Sequence, residues 1–190
     1  YQLPLALVGI AIGIAMLPSI SSKIKLESSE KIHETIEQTL VYSLLLAVPA
    51  SVGIFALSEQ IITVLFERGE FNENSSLFTS KALKFYSLGL VAFILMKIYT
   101  PIFFAYENAR PTLYITATNL LINTTLSIVL FINIGFIGIP IATSISAWVS
   151  VLLMNYSLYK NNYYQISRSI IFPATIIIFV SFVIYMYLIF

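Results

Sequence analysis

Lys97 is the charged residue whose position is most suggestive of function. It lies inside the apolar stretch FILMKIYTP, and an ammonium group at bilayer depth costs about 2.5–3.5 kcal/mol on insertion scales. Such a lysine usually faces a cavity or an acidic partner. Pro101 cannot donate a hydrogen bond to the Lys97 carbonyl, which predicts a kink beside the charge. Lys97 and Pro101 are therefore predicted to line a substrate cavity, and snorkelling of the lysine toward the membrane surface is the alternative.

A stripe of polar side chains is the second feature that could do chemistry. Its members recur at helical spacing and share one face: Thr116, Asn119, Asn123 and Ser127. A later face of small and hydroxyl residues is the candidate partner: Thr143, Ser146, Ala147 and Ser150. Interhelical hydrogen bonds between the faces are one interpretation. The other is a cation site built from oxygens of Asn119, Asn123, Ser127 and Thr143, to which this chain adds no carboxylate.

The segment LFERGEF, residues 65–71, places three charges between two phenylalanines. The apolar segment IITVLF, residues 61–66, is too short to cross a bilayer. It predicts a helix in the membrane interface, with the two phenylalanines in lipid. Gly69 is expected to permit a turn where a side chain would clash. Glu67, Arg68 and Gly69 are therefore assigned to a solvated turn, with direct substrate contact as the alternative.

Several kinds of chemistry are excluded by composition. The chain has no cysteine and a single histidine, so thiol catalysis, disulfides and a histidine-based metal site are ruled out. No nucleophile–base pair or phosphate loop occurs, so no catalytic residue, no metal site and no cofactor is assigned. The net charge of +1 is too small for a nucleic-acid partner. The protein is not expected to be an enzyme.

The overall composition indicates a bilayer environment. The chain is 58% hydrophobic and 10% charged, with a mean hydropathy of +0.91, whereas a soluble domain carries roughly 25% charged residues. The opening YQLPLALVGI has neither an initiator methionine nor a basic segment, so the chain is expected to be part of a longer protein. An all-α, polytopic transmembrane helical bundle is predicted for residues 1–190.

Six membrane spans of about 20 residues each are predicted. They cover residues 1–22, 38–58, 85–106, 112–132, 138–159 and 169–190. An amphipathic helix over residues 23–38 is expected to lie on the membrane surface, because Ile32, Ile36 and Leu40 recur at intervals of four. Residues 59–76 are expected to form a loop. No soluble domain is predicted.

Lysine and arginine predict the orientation of the spans. The loops after the first, third and fifth spans hold the larger set: Lys23, Lys25, Lys31, Arg110, Lys160 and Arg168. The loops after the second and fourth spans hold the smaller set: Arg68, Lys81 and Lys84. The larger set is assigned to the cytoplasm, so the loop at residues 59–76 is expected to be periplasmic.

Three stretches resemble the MurJ/MviN family of lipid II flippases. LPLALVGIAIGIAMLPSIS is similar to a family span that ends in LLPSLS. AVPASVGIFALSEQIITVLFERGEF is similar to the next span with its LFERGxF signature, and ALKFYSLGLVAFILMKIYTPIFFAYENARPT to the span after that. Their order and spacing agree over residues 1–159.

This resemblance implies a two-lobed transporter of about fourteen spans that works by alternating access, with this chain forming the eighth to the thirteenth. It implies transfer of the undecaprenyl-linked peptidoglycan precursor across the bacterial inner membrane, for cell-wall synthesis. The implied partners are that precursor, membrane lipids and the N-terminal half of the same protein. The family's cationic cavity, thought to hold the pyrophosphate, is mostly built by arginines that precede the residues of this chain.

The resemblance also bears on ion coupling. Some family members bind sodium at positions that match Asn123 and Thr143, and Ser127 stands where those members have an acidic ligand. A coupling cation, sodium or a proton, is left open. Two other functions are kept as alternatives: export of another lipid-linked saccharide or of drugs, and a non-transporting scaffold for cell-wall enzymes.

Overall fold

The computed structural model describes residues 1–25 and 29–189, and within these ranges the chain folds into long helices. The first helical segment comprises α1 (Gln2–Pro4), a π-helical turn (Leu5–Ile10) and α2 (Ala11–Lys25). The remaining helices are α3 (Ser29–Phe66), α4 (Glu73–Ala105), α5 (Arg110–Ile134), α6 (Gly138–Lys160) and α7 (Arg168–Ile189), with a 3-10 turn at Gly135–Ile137 between α5 and α6.

The length and composition of these helices suit a membrane. Within the described residues, five stretches are long and apolar enough to cross a bilayer: Gln2–Ser22, Glu30–Phe66, Glu73–Ala105, Arg110–Lys160 and Arg168–Leu188. The fourth stretch has 51 residues and contains both α5 and α6. Together the stretches make the fold an all-α, polytopic membrane bundle. The last residue of the predicted span 169–190 lies outside the described residues.

Helix α4 is the centre of the bundle. It contacts the first helical segment, α3 and α6, while α7 packs on α3 and α5 packs mainly on α6. Because α4 has neighbours on several sides, its buried residues do not form one narrow stripe, and Leu90, Ile98 and Ile102 are fully buried. In α5, by contrast, the only buried residue is Ile115. The chain therefore wraps its outer helices around one interior helix.

Small residues allow the outer helices to approach α4 closely. A Cβ atom added to Gly89 would lie 2.7 Å from Ser144 Oγ and 3.0 Å from its Cα atom. Ser144 Oγ donates to the Phe85 carbonyl at 2.7 Å, and Ser51 Oγ on α3 donates to the Ser87 carbonyl at 2.6 Å. These hydroxyls join α3 and α6 to the backbone of α4, as is common in membrane bundles.

Helices α5 and α6 form a tight antiparallel hairpin. Gly135 has a φ angle of +71° at the turn, where an L side chain would be strained. Gly138 starts α6 so close to α5 that an added Cβ atom would lie 2.5 Å from the carbonyl carbon of Leu130. Both glycines lie in NIGFIG, the segment at which the sequence predicts a break.

The predicted surface helix is not a separate element. It was expected over residues 23–38, and its residues 26–28 lie outside the described residues. From Ser29 onward one continuous helix of 38 residues runs to Phe66, so it does not turn along the membrane near residue 38. At ~1.5 Å per residue α3 is about 57 Å long, which exceeds the ~30 Å hydrocarbon core. Its ends therefore project from the membrane, and the loop expected over residues 59–76 shortens to residues 67–72.

The apolar face expected in this region is present and buried. Ile32, Ile36 and Leu40 are 3%, 0% and 3% exposed. They face the core of the bundle together with Tyr164, which follows α6, so protein and not lipid covers them. Burial raises the pKa of the Tyr164 phenol above its ordinary value, because the anion is disfavoured away from water. The helical spacing of these three residues was predicted, but their burial against other helices of the bundle was not.

The same end of the bundle carries two matching helix caps. After α4, Glu107 has a φ angle of +54°, and after α6, Asn162 has +56°. The next amide in each case donates back into the helix, with the Asn108 nitrogen 3.0 Å from the Phe103 carbonyl oxygen. The two caps contact each other, since the ring of Tyr106 on the first stacks on that of Tyr163 on the second at 4.1 Å.

Substitution of the hairpin glycine tests this helix arrangement. Gly138→Ala is expected to destabilise the protein by about 1–3 kcal/mol, because the new methyl group overlaps the α5 backbone. In the matched control Gly53→Ala, no atom of this chain lies within 4 Å of the added Cβ atom, so a gain of about 0.5–1 kcal/mol is expected from helix propensity. Thermal melting of the purified protein in detergent measures both, and equal shifts would contradict the hairpin geometry.

Candidate functional site

A groove beside Lys97 is the concave site that includes the predicted pair Lys97 and Pro101. It has a volume of about 630 Å³ and lies between the first helical segment and α4. Its lining residues are Gly9, Ile14, Leu17, Pro18, Lys97, Thr100 and Pro101. The predicted pair Lys97 and Pro101 is thus joined by residues far away in sequence, of which Pro18 was not anticipated as a neighbour.

The Lys97 side chain runs along the first helical segment. Its Cγ atom would lie 3.5 Å from a Cβ atom added to Gly9, so the aliphatic stem covers the glycine. Gly9 belongs to the π-helical turn Leu5–Ile10, a rare conformation that often marks functional sites. The side chain of Lys97 is exposed in this chain and has no acidic partner among the described residues. Its charge is therefore available to the groove.

The helix that carries Lys97 is longer than the predicted span. The predicted span began at residue 85, whereas α4 begins at Glu73 and has its midpoint near Gly89. Lys97 lies about 12 Å from the C-terminal end of α4, at ~1.5 Å per residue. The lysine thus lies in the half of α4 that ends at the two helix caps. This position allows a cavity that opens toward that end, and it is also within reach of snorkelling.

Two prolines border this groove from opposite helices. Pro18 lies within α2, and Pro101 within α4. Each lacks an amide hydrogen, so the carbonyls of Ile14 and Lys97, one turn earlier, lose their usual helical donors. Both of those residues line the groove. The groove therefore offers a cation, which can attract an anionic group, and it is bordered by two residues whose carbonyls are free to accept from hydroxyl or amide groups.

The polar stripe of α5 is hydrogen-bonded to α6. Asn119 Nδ2 donates to the Ser146 carbonyl at 3.2 Å and to Ser150 Oγ at 2.5 Å. Thr116, at the start of the stripe, is exposed and borders a second groove, of about 650 Å³, together with Asn119 and Asn123. The Asn119 contacts join the two helices in the way that the interhelical interpretation expects.

The other predicted polar residues form one small cluster. Asn123 Oδ1 accepts from Ser127 Oγ at 3.2 Å and lies 3.3 Å from Thr143 Oγ1. The Thr143 hydroxyl also lies 2.9 Å from the Ile139 carbonyl, so its single hydrogen has two acceptors. Three neutral oxygens thus converge, but residues 111–159 contain no carboxylate. The cluster is complete as a packing contact, and as a cation site it lacks a charge from this chain.

The LFERGEF segment forms the turn between α3 and α4. Arg68 Nη2 donates to the Leu65 carbonyl at 2.9 Å, which caps the end of α3. Gly69 has a φ angle of +62°, and no atom lies within 4 Å of an added Cβ atom. The glycine is therefore needed for its backbone conformation and not to avoid the clash that was expected. The rings of Phe66 and Phe71 pack on each other with centroids 6.4 Å apart.

Comparisons with known proteins agree with the resemblance seen in the sequence. The family model described as lipid II flippase MurJ matches residues 1–190. A probable lipid II flippase MurJ of Rhizobium tropici is 34% identical over 163 residues, which cover 86% of this chain and 31% of the relative. The corresponding protein of Rickettsia prowazekii (strain Madrid E) is 37% identical over 158 residues, covering 83% of this chain and 31% of the relative.

A solved structure gives the same result. It is described as lipid II flippase MurJ in an inward closed conformation, and it superposes with a TM-score of 0.82 at 27% sequence identity. The match covers 98% of this chain and 38% of that chain. The chain thus spans about a third of the length of the curated relatives it matches.

Replacement of Asn119 tests the contact between α5 and α6. Asn119→Ala is expected to lower stability by about 0.6–1.7 kcal/mol, the range measured for hydrogen bonds between membrane helices. Asn133→Ala on the same helix is the matched control, because the exposed Asn133 amide donates only to Val129 of its own helix. Thermal melts in detergent compare the two variants. A larger loss for Asn133→Ala would contradict the assigned role of Asn119.

Proposed function

This chain belongs to the family of the lipid II flippase MurJ, and on that premise we propose that it serves the transfer of lipid II across the membrane. The chain corresponds to 31% of the relatives in Rhizobium tropici and Rickettsia prowazekii, so the activity of a whole flippase also requires regions equivalent to the rest of those proteins. The chain would contribute one wall of the transport cavity.

The groove around Lys97 is the observation that carries the proposal. Lipid II, in the family's mechanism, presents an anionic pyrophosphate to a cationic cavity. Lys97 supplies a positive charge at membrane depth, and its side chain is exposed in this chain. In a region of low dielectric such a charge attracts phosphate oxygens more strongly than it would in water. The lysine would therefore hold the head group during its passage.

Alternating access explains the construction of the groove. Pro18 and Pro101 weaken the helical hydrogen bonds of α2 and α4 at the groove, so these helices can bend there with little loss of backbone bonding. The hydroxyl–carbonyl contacts of Ser51 and Ser144 reach α4 at Ser87 and Phe85, close to its midpoint. Rocking of the bundle would thus open the Lys97 end while the middle of α4 stays joined to α3 and α6.

We place the protein in the bacterial inner membrane, with the Lys97 end toward the cytoplasm. Lysine and arginine favour that side by six to three: Lys23, Lys25, Lys31, Arg110, Lys160 and Arg168 against Arg68, Lys81 and Lys84. The ring contact between Tyr106 and Tyr163 holds the loops after α4 and α6 at one end, as this orientation requires. The partners would be lipid II, membrane lipids and the N-terminal half of the transporter.

Ion coupling belongs to the same proposal. The cation would be sodium or a proton, and the oxygens of Asn123, Ser127 and Thr143 are where this chain offers ligands. Their mutual hydrogen bonds, at 3.2 and 3.3 Å, would have to open for an ion to enter. A carboxylate would have to come from outside residues 111–159.

Substitution of Lys97 in the full-length protein tests the function. Lys97→Ala is expected to lower lipid II transfer by at least about tenfold, since one charge-assisted contact is lost. Lys97→Arg should retain part of the activity. Lys81→Ala is the matched control, because Lys81 is exposed near the other end of the same helix. Growth support in cells depleted of their own flippase, together with lipid II transfer into vesicles, measures all three.

The outcomes separate the competing functions. Wild-type transfer by Lys97→Ala would contradict the assigned role of the lysine. Transfer of drugs with no transfer of lipid II, by the unsubstituted protein, would favour an exporter. Absence of any transport, with binding of cell-wall enzymes retained, would favour a scaffold.

A further inference from the structure

A cavity of about 180 Å³ lies between the end of α3 and the start of α4, at the end of the bundle opposite the two helix caps. It is lined by Glu59, Thr63, Glu67, Glu73, Ser76 and Leu77. Three carboxylates and two hydroxyls thus surround one space, and the sequence gives no hint of this because Glu59 and Glu73 flank the LFERGEF turn at a distance. Neither the groove at Lys97 nor the α5–α6 stripe includes any of these residues.

The carboxylates of this cavity lack cationic partners in the described part of the chain. The side-chain carboxylates of Glu59, Glu67 and Glu73 form no hydrogen bond or ion pair there, although like charges around one space repel. Of the basic residues on either side, Arg68 donates to the Leu65 carbonyl, the Lys84 ammonium lies 4.7 Å from the centroid of the Phe55 ring, and Lys81 is exposed on α4. No ion pair within the described residues balances the charge of the cavity.

Ser76 gives a second and independent indication of a ligand. This residue lines the cavity but is only 3% exposed. Its hydroxyl oxygen is buried and has no hydrogen-bond partner, and a buried polar group without a partner is destabilising. A hydrogen-bond donor or a cation held in the cavity would give this hydroxyl oxygen a partner. Glutamates that are merely solvated would leave it without one.

The ligand chemistry follows from the donors. All of the polar groups are oxygens, the ligand type that Mg²⁺ and Ca²⁺ prefer. Within the described residues, no group of three acidic, histidine or cysteine side chains could together hold a metal ion, so an ion here would contact fewer carboxylates and keep part of its water shell. At roughly 30 Å³ per water, the 180 Å³ space accommodates an ion together with several of its waters. Mg²⁺ commonly keeps such waters and contacts only one or two carboxylates.

We propose that this acidic cavity, bounded by Glu59, Glu67, Glu73 and Ser76, binds a hydrated divalent cation that joins the end of α3 to the start of α4. Glu59 and Glu67 lie on or just after α3, whereas Glu73 and Ser76 begin α4. An ion that contacts both sets fixes the LFERGEF turn between them. The site does not depend on lipid II transfer, because it is remote from Lys97.

Thermal melting of the metal-depleted full-length protein in detergent tests the proposal. About 10 mM MgCl₂, or CaCl₂, is expected to raise the melting temperature by about 2 °C if the dissociation constant is near millimolar, as in extracellular sites. Choline chloride at equal ionic strength is the control for general screening. Spermidine is a further arm, since an organic polyamine would present ammonium groups in place of a hydrated metal ion.

Variants assign the effect to the cavity. The double variant Glu67→Gln/Glu73→Gln should lose the rise, whereas Glu107→Gln, an exposed glutamate at the opposite end of α4, should keep it. Ser76→Ala removes the hydroxyl that lacks a partner, so it should fold as well as the unsubstituted protein. It should nevertheless need an Mg²⁺ concentration about three- to tenfold higher to reach half of the increase in melting temperature.

Several results would overturn the proposal. They are an equal rise in the double variant, an equal rise with choline chloride, and a response to spermidine but not to Mg²⁺ or Ca²⁺. Absence of any response would also do so, because it would mean that water or a basic side chain from another region fills the cavity. Because the measured quantity is thermal stability, a negative result for the cation site would not affect the lipid II proposal. A failure of lipid II transfer would likewise not affect the proposed cation site.

Discussion

Hydrocarbon offers no hydrogen bonds, so each polar group at membrane depth must find a partner inside the protein or face water. This constraint explains why α4 is central. Its carbonyls accept from Ser51 of α3 and from Ser144 and Trp148 of α6, at 2.6–3.0 Å, and Gly89 admits α6 closely enough for these bonds to form. The polar stripe of α5 is held in the same way by Asn119. Lys97 has no acidic partner in the described part of the chain and its side chain is exposed, as the proposed cavity requires.

The parts of the fold that obey a local rule could be predicted from the sequence. The apolar length of the helices, the break at NIGFIG and the shared face of Asn119 and Asn123 depend on periodicity and glycine, which are visible without a structure. Residues 29–66 could not be assigned correctly, because a change from polar to apolar composition looks like a boundary between elements. A helix can cross such a boundary without interruption when, as here, only Pro49 interrupts its hydrogen bonding.

The candidate sites also differ in how far the sequence alone could predict them. Lys97 and Pro101 are neighbours in sequence and were found together, but their facing residues Gly9 and Pro18 come from another helix and depend on tertiary contact. The acidic cavity was missed because its carboxylates come from two helices and the turn between them. Gly69 was identified correctly as a turn residue, but the expected reason was a steric clash. The structure gives another reason, a positive φ angle with open space around the residue.

Water access to Lys97 is the most direct test of the central claim, that this side chain faces a transport cavity. In a cysteine-free full-length protein, Lys97→Cys should react with a membrane-impermeant thiol reagent, and bound lipid II should slow the reaction. Leu152→Cys is the control on α6, at an apolar side chain that is 68% exposed and is expected to face lipid, so it should not react. Lack of reaction at both positions would place residue 97 in lipid and contradict the cavity.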